Sequence, residues 1–251
     1  MNNYTEYITL SKNNRGCWDL DPFKGCTLGK SNGSKGCYGV CYAAKIAKFR
    51  GYDFNKVITR NFKDEAHLKS IGNKISKLEF LRMGVSCDPS YDWDHTISII
   101  EKIKPFIEAK RIVIVTKHIN KLTDKKILKL KGLTINTSIS ALDGINNMDL
   151  INYRLKQYSR LKKDTNSILR VNTAKFINMY LEDLQLTLLD NDNVINTILR
   201  IPKSNIMVKN GTLEVAKVDF LGSETYASIF DTNTYFGNCD KCIEKCGLAF
   251  F

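Results

Sequence analysis

The sequence predicts an α/β fold of about six βα units arranged around a parallel sheet. Three observations carry this. Short apolar stretches alternate with longer amphipathic ones along most of the chain. The run Arg111-Ile112-Val113-Ile114-Val115-Thr116 is continuously β-branched at its centre, as a buried parallel strand requires. No G-x-G-x-x-G fingerprint follows the early strands, which disfavours an ordinary dinucleotide-binding fold.

The elements follow in order. The cysteine-rich N-terminal segment supplies the first strand. Residues 82–86 form the second strand, and residues 96–109 a helix with Ile97, Ile100, Ile103 and Ile107 on one face. After the strand over 111–116, Thr123 caps a helix running to residue 130. Strands over 133–138, 167–172 and 196–201 then alternate with helices over 148–162 and 176–189. There is no internal repeat and no low-complexity linker. Six units can close as a partial barrel or lie open as a doubly wound sheet, and periodicity does not choose between them.

Composition narrows the partners. The 251 residues carry a net charge of +12, from 38 basic and 26 acidic residues. Such a balance favours an anionic partner, nucleic acid first, although lysines spread along helices also read as a solvated face. No run reaches the ~18 apolar residues of a membrane helix, so no membrane partner is expected. The start Met1-Asn2-Asn3-Tyr4-Thr5-Glu6 lacks the regions of a signal peptide, and a cytoplasmic location is expected. Eight cysteines accompany only three histidines. In a reducing compartment grouped cysteines point to metal or redox chemistry. His67, His95 and His118 have no metal-ligand spacing and read as satisfied or surface residues; Trp93 reads as a packing residue.

Cys26 is separated by ten residues from Cys37, and Cys37 by three from Cys41. Three thiolates hold a [4Fe-4S] cubane with one iron open. Gly29, Gly33 and Gly36 let the intervening loop turn tightly. With Cys17 as a fourth ligand the same residues suit a closed zinc site.

The surrounding residues resemble a family. Asp21-Pro22-Phe23-Lys24-Gly25-Cys26 followed by Cys41-Tyr42-Ala43 is similar to the cluster loop of radical S-adenosylmethionine (SAM) enzymes, nearest the spore-photoproduct-lyase-like branch. The gaps depart from that branch, ten residues in place of three and three in place of two. Downstream, Ser86-Cys87-Asp88-Pro89-Ser90-Tyr91, then Val113-Ile114-Val115-Thr116-Lys117, then Thr137-Ser138-Ile139-Ser140 resemble the family's successive strand ends, in the right order. Gly36-Cys37 to Tyr42-Ala43, with Gly51-Tyr52, Val57 and Arg60-Asn61, also looks like a phage-borne family of unassigned function.

The resemblance implies a partial (β/α)6 barrel over residues 1–205, with a cysteine-bearing C-terminal extension over 206–251. It implies a [4Fe-4S] cluster on Cys26, Cys37 and Cys41, and SAM as cofactor near Val40, Ser86, Lys117, Ser138 and Ser140. Cys87 is implied as a hydrogen-atom donor; a buried structural cysteine is the plain alternative. Asp88 either contacts SAM or substrate or opens the turn before Pro89. An electron donor such as flavodoxin or ferredoxin is implied as partner. The substrate is unknown, with nucleic acid or a nucleotide favoured by the resemblance and the charge.

Cys239, Cys242 and Cys246 form a Cys-x2-Cys-x3-Cys group, read as a second metal centre, either an auxiliary Fe–S cluster or zinc. Cys17 or a substrate atom would complete it. An auxiliary cluster would also suit a peptide-modifying relative. The reading from a different class is a zinc-stabilised nucleic-acid-binding protein without catalysis.

Overall fold

A computed structural model describes residues 6–28, 37, 41–145 and 148–251. Val40 and the glycine-bearing loop of residues 29–36 lie outside the described residues.

The main sheet has nine strands. In chain order they are β1 (Ser11–Lys12), β2 (Trp18–Asp19), β3 (Leu81–Met83), β4 (Ile112–Thr116), β5 (Thr134–Ile139), β6 (Asn166–Thr173), β7 (Val194–Arg200), β8 (Ala216–Phe220) and β9 (Ser223–Ser228). Strands β2 to β7 are all parallel and lie side by side in chain order. A doubly wound sheet reverses its strand order partway; this one does not. The antiparallel hairpin β8–β9 pairs with β7, so residues of the C-terminal extension continue the sheet beyond the last parallel strand.

The helices between parallel strands are α1 (Tyr42–Phe49) and α2 (Glu65–Ile75), then α3 (Trp93–Ile103), α4 (Asp124–Lys129), α5 (Asp149–Leu161) and α6 (Met179–Leu189). Their starts are set by side chains that accept orphan backbone N–H groups: Asp64 from His67, Asp92 from Asp94 and His95, Thr123 from Lys126, and Asn178 from Tyr180. The predicted helix over 96–109 starts three residues earlier, at the Asp92 cap, and ends at Ile103 before Pro105. A proline N–H is missing and its ring crowds the preceding turn. The helix predicted over 176–189 begins instead at Met179, because Asn178 caps it.

The two faces of the sheet differ. Leu81, Met83, Ile112, Ile114, Leu133 and Ile135 pack with the inward face of α2 and α3 in one apolar core. On those strands the alternate positions are Arg82, Val113, Val115 and Asn136, joined on β6 by Arg170 and Asn172. Strands covered on both faces are apolar throughout; here one face carries helices and the other lines polar cavities. The sheet is curled: the guanidinium of Arg15, between β1 and β2, lies 5.6 Å from the ring centre of Phe220 in β8, at the opposite end.

Among the described residues no helix is long and apolar enough to cross a membrane.

Candidate functional site

A cleft of about 270 Å³ opens at the C-terminal ends of the parallel strands. The ends of five strands supply its floor, with Gly84 and Val85 after β3, Thr116 and Lys117 at the end of β4, Ser138 on β5, Asn172 on β6, and Leu199 and Arg200 on β7. Cys26, Cys37 and Cys41 all line its wall, so residues fifteen positions apart in sequence share one cavity with Cys87, Lys117 and Ser138.

Local structure explains how Cys26 reaches this wall. A small sheet joins Glu6–Tyr7, Ile58–Asn61 and Phe23–Lys24. Gly25 then adopts φ +89°, and a Cβ there would sit 2.7 Å from the carbonyl oxygens of Phe54 and Lys56. Glycine alone fits that approach. Cys26 follows and donates its N–H to Phe54 O at 2.9 Å. Cys41 is the residue that precedes α1.

The strand-end loops are held by two carboxylates. Asp21 accepts from the backbone N–H groups of Gly84, Val85 and Ser86, and from the Ser86 hydroxyl at 2.5 Å. Asp88 accepts from the Thr116 hydroxyl at 2.7 Å and from the N–H groups of Lys117, His118 and Ser90. Burial works against the charged form of Asp88, but His118 and these hydrogen bonds outweigh it and hold its carboxyl below the usual range.

Lys117 extends along the cleft, its Nζ 3.5 Å from Asp143 Oδ1. Asp143 also pairs with buried Arg154. Burial pushes the Lys117 pKa down, opposed by Asp143. His118 is buried with Nε2 4.0 Å from the Cys37 sulfur, and burial lowers its pKa too. Cys87 is buried in the same wall, and burial pushes its thiol well up, so it stays S–H at neutral pH.

The other serines expected beside a cofactor are engaged within the fold. Ser86 is bound to Asp21. Ser140 is fully buried and forms a capping box with Asp143 at the start of the turn Ala141–Gly144. Neither lines the cleft.

The C-terminal cysteines lie elsewhere on the same face. Cys239, Cys242 and Cys246 line a second cavity of about 360 Å³. Cys17, Cys239 and Cys246 pack together with Phe80 and Val113 near the N-terminal ends of β3 and β4. The Cys17 thiol donates to Trp18 O at 3.7 Å; its neighbour Cys239 is held below the usual thiol range by Cys17 first, then by Arg15, Arg82 and Arg170, against the cost of burial, and Cys17 is pushed up in turn. Burial pushes the Cys242 thiol up, opposed by the backbone of Lys245 and Glu244.

Among the described residues no group of three or more His, Cys, Asp or Glu side chains stands close enough, as it is, to hold a metal ion. Both cysteine sets share a wall without converging on a point.

Sequence reasoning missed Asp21, His118 and the arginines on the polar face. The position of His118 directly after the Thr-Lys strand end was the available signal. The arginines gave none, because a charged residue alternating with apolar ones in a strand reads as facing solvent.

Fold and site together define a mixed α/β protein with a parallel sheet in chain order and a cysteine-lined cleft at its C-terminal edge. No protein-family model matches the chain, and no curated protein matches it at a significant level.

Proposed function

We propose that this chain is a radical SAM enzyme built on a (β/α)6 partial barrel. The supporting observation is the gathering of Cys26, Cys37 and Cys41 into one cleft with Lys117, Ser138 and Cys87, at the C-terminal ends of chain-ordered parallel strands. Active sites of α/β barrels sit at that edge. The donor set fits a [4Fe-4S] cluster in kind: Cys26, Cys37 and Cys41 offer three soft sulfurs, which leaves one iron for a cofactor, while the fourth cysteine of the wall, Cys87, is buried with its thiol pushed well up, away from the thiolate form a ligand needs.

When bound there, cluster and SAM supply one-electron cleavage of the sulfonium and hydrogen-atom abstraction from a substrate. The chain's own residues then have distinct tasks. Lys117 is a cation at a strand end, suited to the cofactor carboxylate. Asp143 and Arg154 fix its position. Ser138 and Asn172 offer hydrogen bonds across the floor, already linked to each other at 2.8 Å. Asp21 and Asp88 keep the loops that build the floor rigid. Cys87 retains its S–H hydrogen, as a donor to a carbon radical must. Val40 is proposed beside the adenine on resemblance alone.

The C-terminal Cys239, Cys242 and Cys246, with Cys17 beside them, are proposed as a second metal centre, zinc or Fe–S. The grouping of these three cysteines on one cavity, with Cys17 packed against Cys239, supports this. The substrate is proposed to be a nucleic acid or nucleotide, in keeping with the +12 charge. Flavodoxin or ferredoxin is the proposed reductant.

The test is anaerobic reconstitution with iron and sulfide, followed by SAM and dithionite. Release of 5′-deoxyadenosine, abolished separately in Cys26→Ala, Cys37→Ala and Cys41→Ala, is expected. Colourless protein that binds only zinc would leave the binding-module reading in its place.

A further inference from the structure

The second cavity gathers positive charge beside its cysteines. Arg15, Arg82, Arg170 and Arg200 all line it, from four separate segments of the chain. Lys45 and Lys245 add to its wall, and Glu244 is the one carboxylate among the lining residues. Asp19 pairs with Arg82 from outside the wall, and Glu79 with Lys245. Positive charge remains in excess. Gathering cations in an enclosed space is costly unless an anion joins them.

The way these arginines are anchored is informative. Arg15 donates through Nε to Gly237 O at 2.8 Å. Arg82 donates through Nε to Asp19 Oδ1 at 2.9 Å. A guanidinium has five N–H donors in a fixed fork. Holding it by the inner nitrogen leaves the terminal pair for other partners, and both guanidiniums stand between this chamber and a smaller neighbouring one that the same four arginines line. Phe220 stacks against two of the guanidiniums, with Arg15 5.6 Å and Arg200 4.6 Å from its ring centre. That contact fixes orientation without using a hydrogen-bond donor. Arg170, on β6, lines the same chamber as Cys246.

We propose that this chamber binds the phosphate groups of a phosphorylated small molecule of about nucleotide size. Converging guanidinium forks match phosphate oxygens, which carry several charges and accept paired hydrogen bonds. A volume of about 360 Å³ lies near the lower end of ligand pockets and suits a compact molecule. Asn172, Asn196 and Thr197 supply neutral polar groups for its remainder. Asn172, Leu199 and Arg200 line both this chamber and the cleft at the strand ends. On the function proposed above, the phosphorylated molecule is therefore the substrate, anchored below and presented to the cleft. Binding as such does not depend on that function.

The test is isothermal titration calorimetry of the full chain with inorganic pyrophosphate. It is run on protein as purified and after anaerobic iron–sulfide reconstitution, with sodium sulfate at equal ionic strength as comparison. One pyrophosphate site per chain is expected, far tighter than sulfate. Arg170→Gln and Arg15→Gln each weaken it by about tenfold or more, the loss of one charged hydrogen-bonding partner. Arg170→Lys keeps the charge, loses the fork and falls between. Arg160→Gln, on the surface beside Asp124, changes nothing. Cys37→Ala also binds normally, which separates this inference from the fate of the radical mechanism. Absence of pyrophosphate binding in both preparations overturns the inference, as does equal affinity across folded variants. Binding that disappears on reconstitution overturns it too, by assigning the arginines to neutralising a thiolate centre.

Discussion

At the scale of single residues, buried groups with several hydrogen bonds govern the site. Asp88 ties the end of β4 to the turn after Cys87 through four donors. Its folded-state pKa is depressed, so its contribution to stability is present above the unfolded value of about 4 and is lost as pH falls through the folded value. Asp88→Asn is expected to lose about 1–3 kcal/mol at neutral pH. Urea unfolding at a series of pH values should show the variant with the flatter stability profile below about pH 4; parallel profiles would refute the assignment. Lys117→Met tests the proposed cofactor contact. Asp143 keeps Arg154 as partner, so the fold is expected to survive while SAM affinity falls roughly ten- to a hundredfold. Cys87→Ala should leave SAM cleavage intact and shift the product distribution; an unchanged distribution returns Cys87 to a packing role.

The legibility of the site at this scale was uneven for physical reasons. Cys26, Cys37, Cys41, Cys87, Lys117 and Ser138 were legible because they lie in ordered motifs at strand ends, and the structure brings them to one cleft. Ser86 and Ser140 follow strands as well, but the Ser86 hydroxyl donates to the Asp21 carboxylate and the Ser140 hydroxyl accepts a backbone N–H of the next turn. Asp21 was invisible as an anchor because its three backbone donors lie more than sixty residues away.

Elements were read well where periodicity and caps agree. The strands expected over 111–116, 133–138, 167–172 and 196–201 appear within about two residues of their bounds, the usual uncertainty of element ends. The strand expected over 82–86 instead ends at Met83. Gly84 turns out of the sheet with φ +102°, and a Cβ there would collide with the Val115 carbonyl oxygen. Gly84→Ala is thus expected to destabilise by more than the roughly 1 kcal/mol of an ordinary glycine substitution, because the floor of the cleft must move. A melting curve together with SAM affinity would register both effects. Thr123→Ala removes the α4 cap and should cost about 1 kcal/mol, without altering either cavity. The hairpin β8–β9 escaped the sequence reading, although Ala216-Lys217-Val218-Asp219-Phe220 alternates apolar and polar residues as a half-buried strand does.

At the scale of the whole molecule, one face of the sheet is committed to packing and the other to chemistry. Leucines, isoleucines and methionines fill the helix side, while arginines, asparagines and cysteines are concentrated on the other. This division was legible only in part. Alternation within β3 and β5 announced two unlike faces, but nothing in one strand reveals that its polar side looks into an enclosed space. That depends on curvature, which is a property of all the strands together. The C-terminal segment closes the enclosure. Cys239 donates its N–H to Arg15 O at 2.5 Å, Asn136 reaches Cys246 O at 2.9 Å, and Gly247 packs on Ile168 where a side chain would not fit. Removing residues 238–251 should expose the arginine-lined cavity while leaving the helix-side core in place. The expected signs are retained far-ultraviolet dichroism, a lower melting temperature and weakened pyrophosphate binding.

The bond between Arg15 and Gly237 joins positions 222 apart in the chain. Contacts that distant are the slowest to form, because the loop they close costs the most entropy. During synthesis the parallel strands can assemble before the plug emerges to seat beneath them. For that interval the arginine-bearing side of the sheet stands without the stretch that carries Cys239, Cys242 and Cys246.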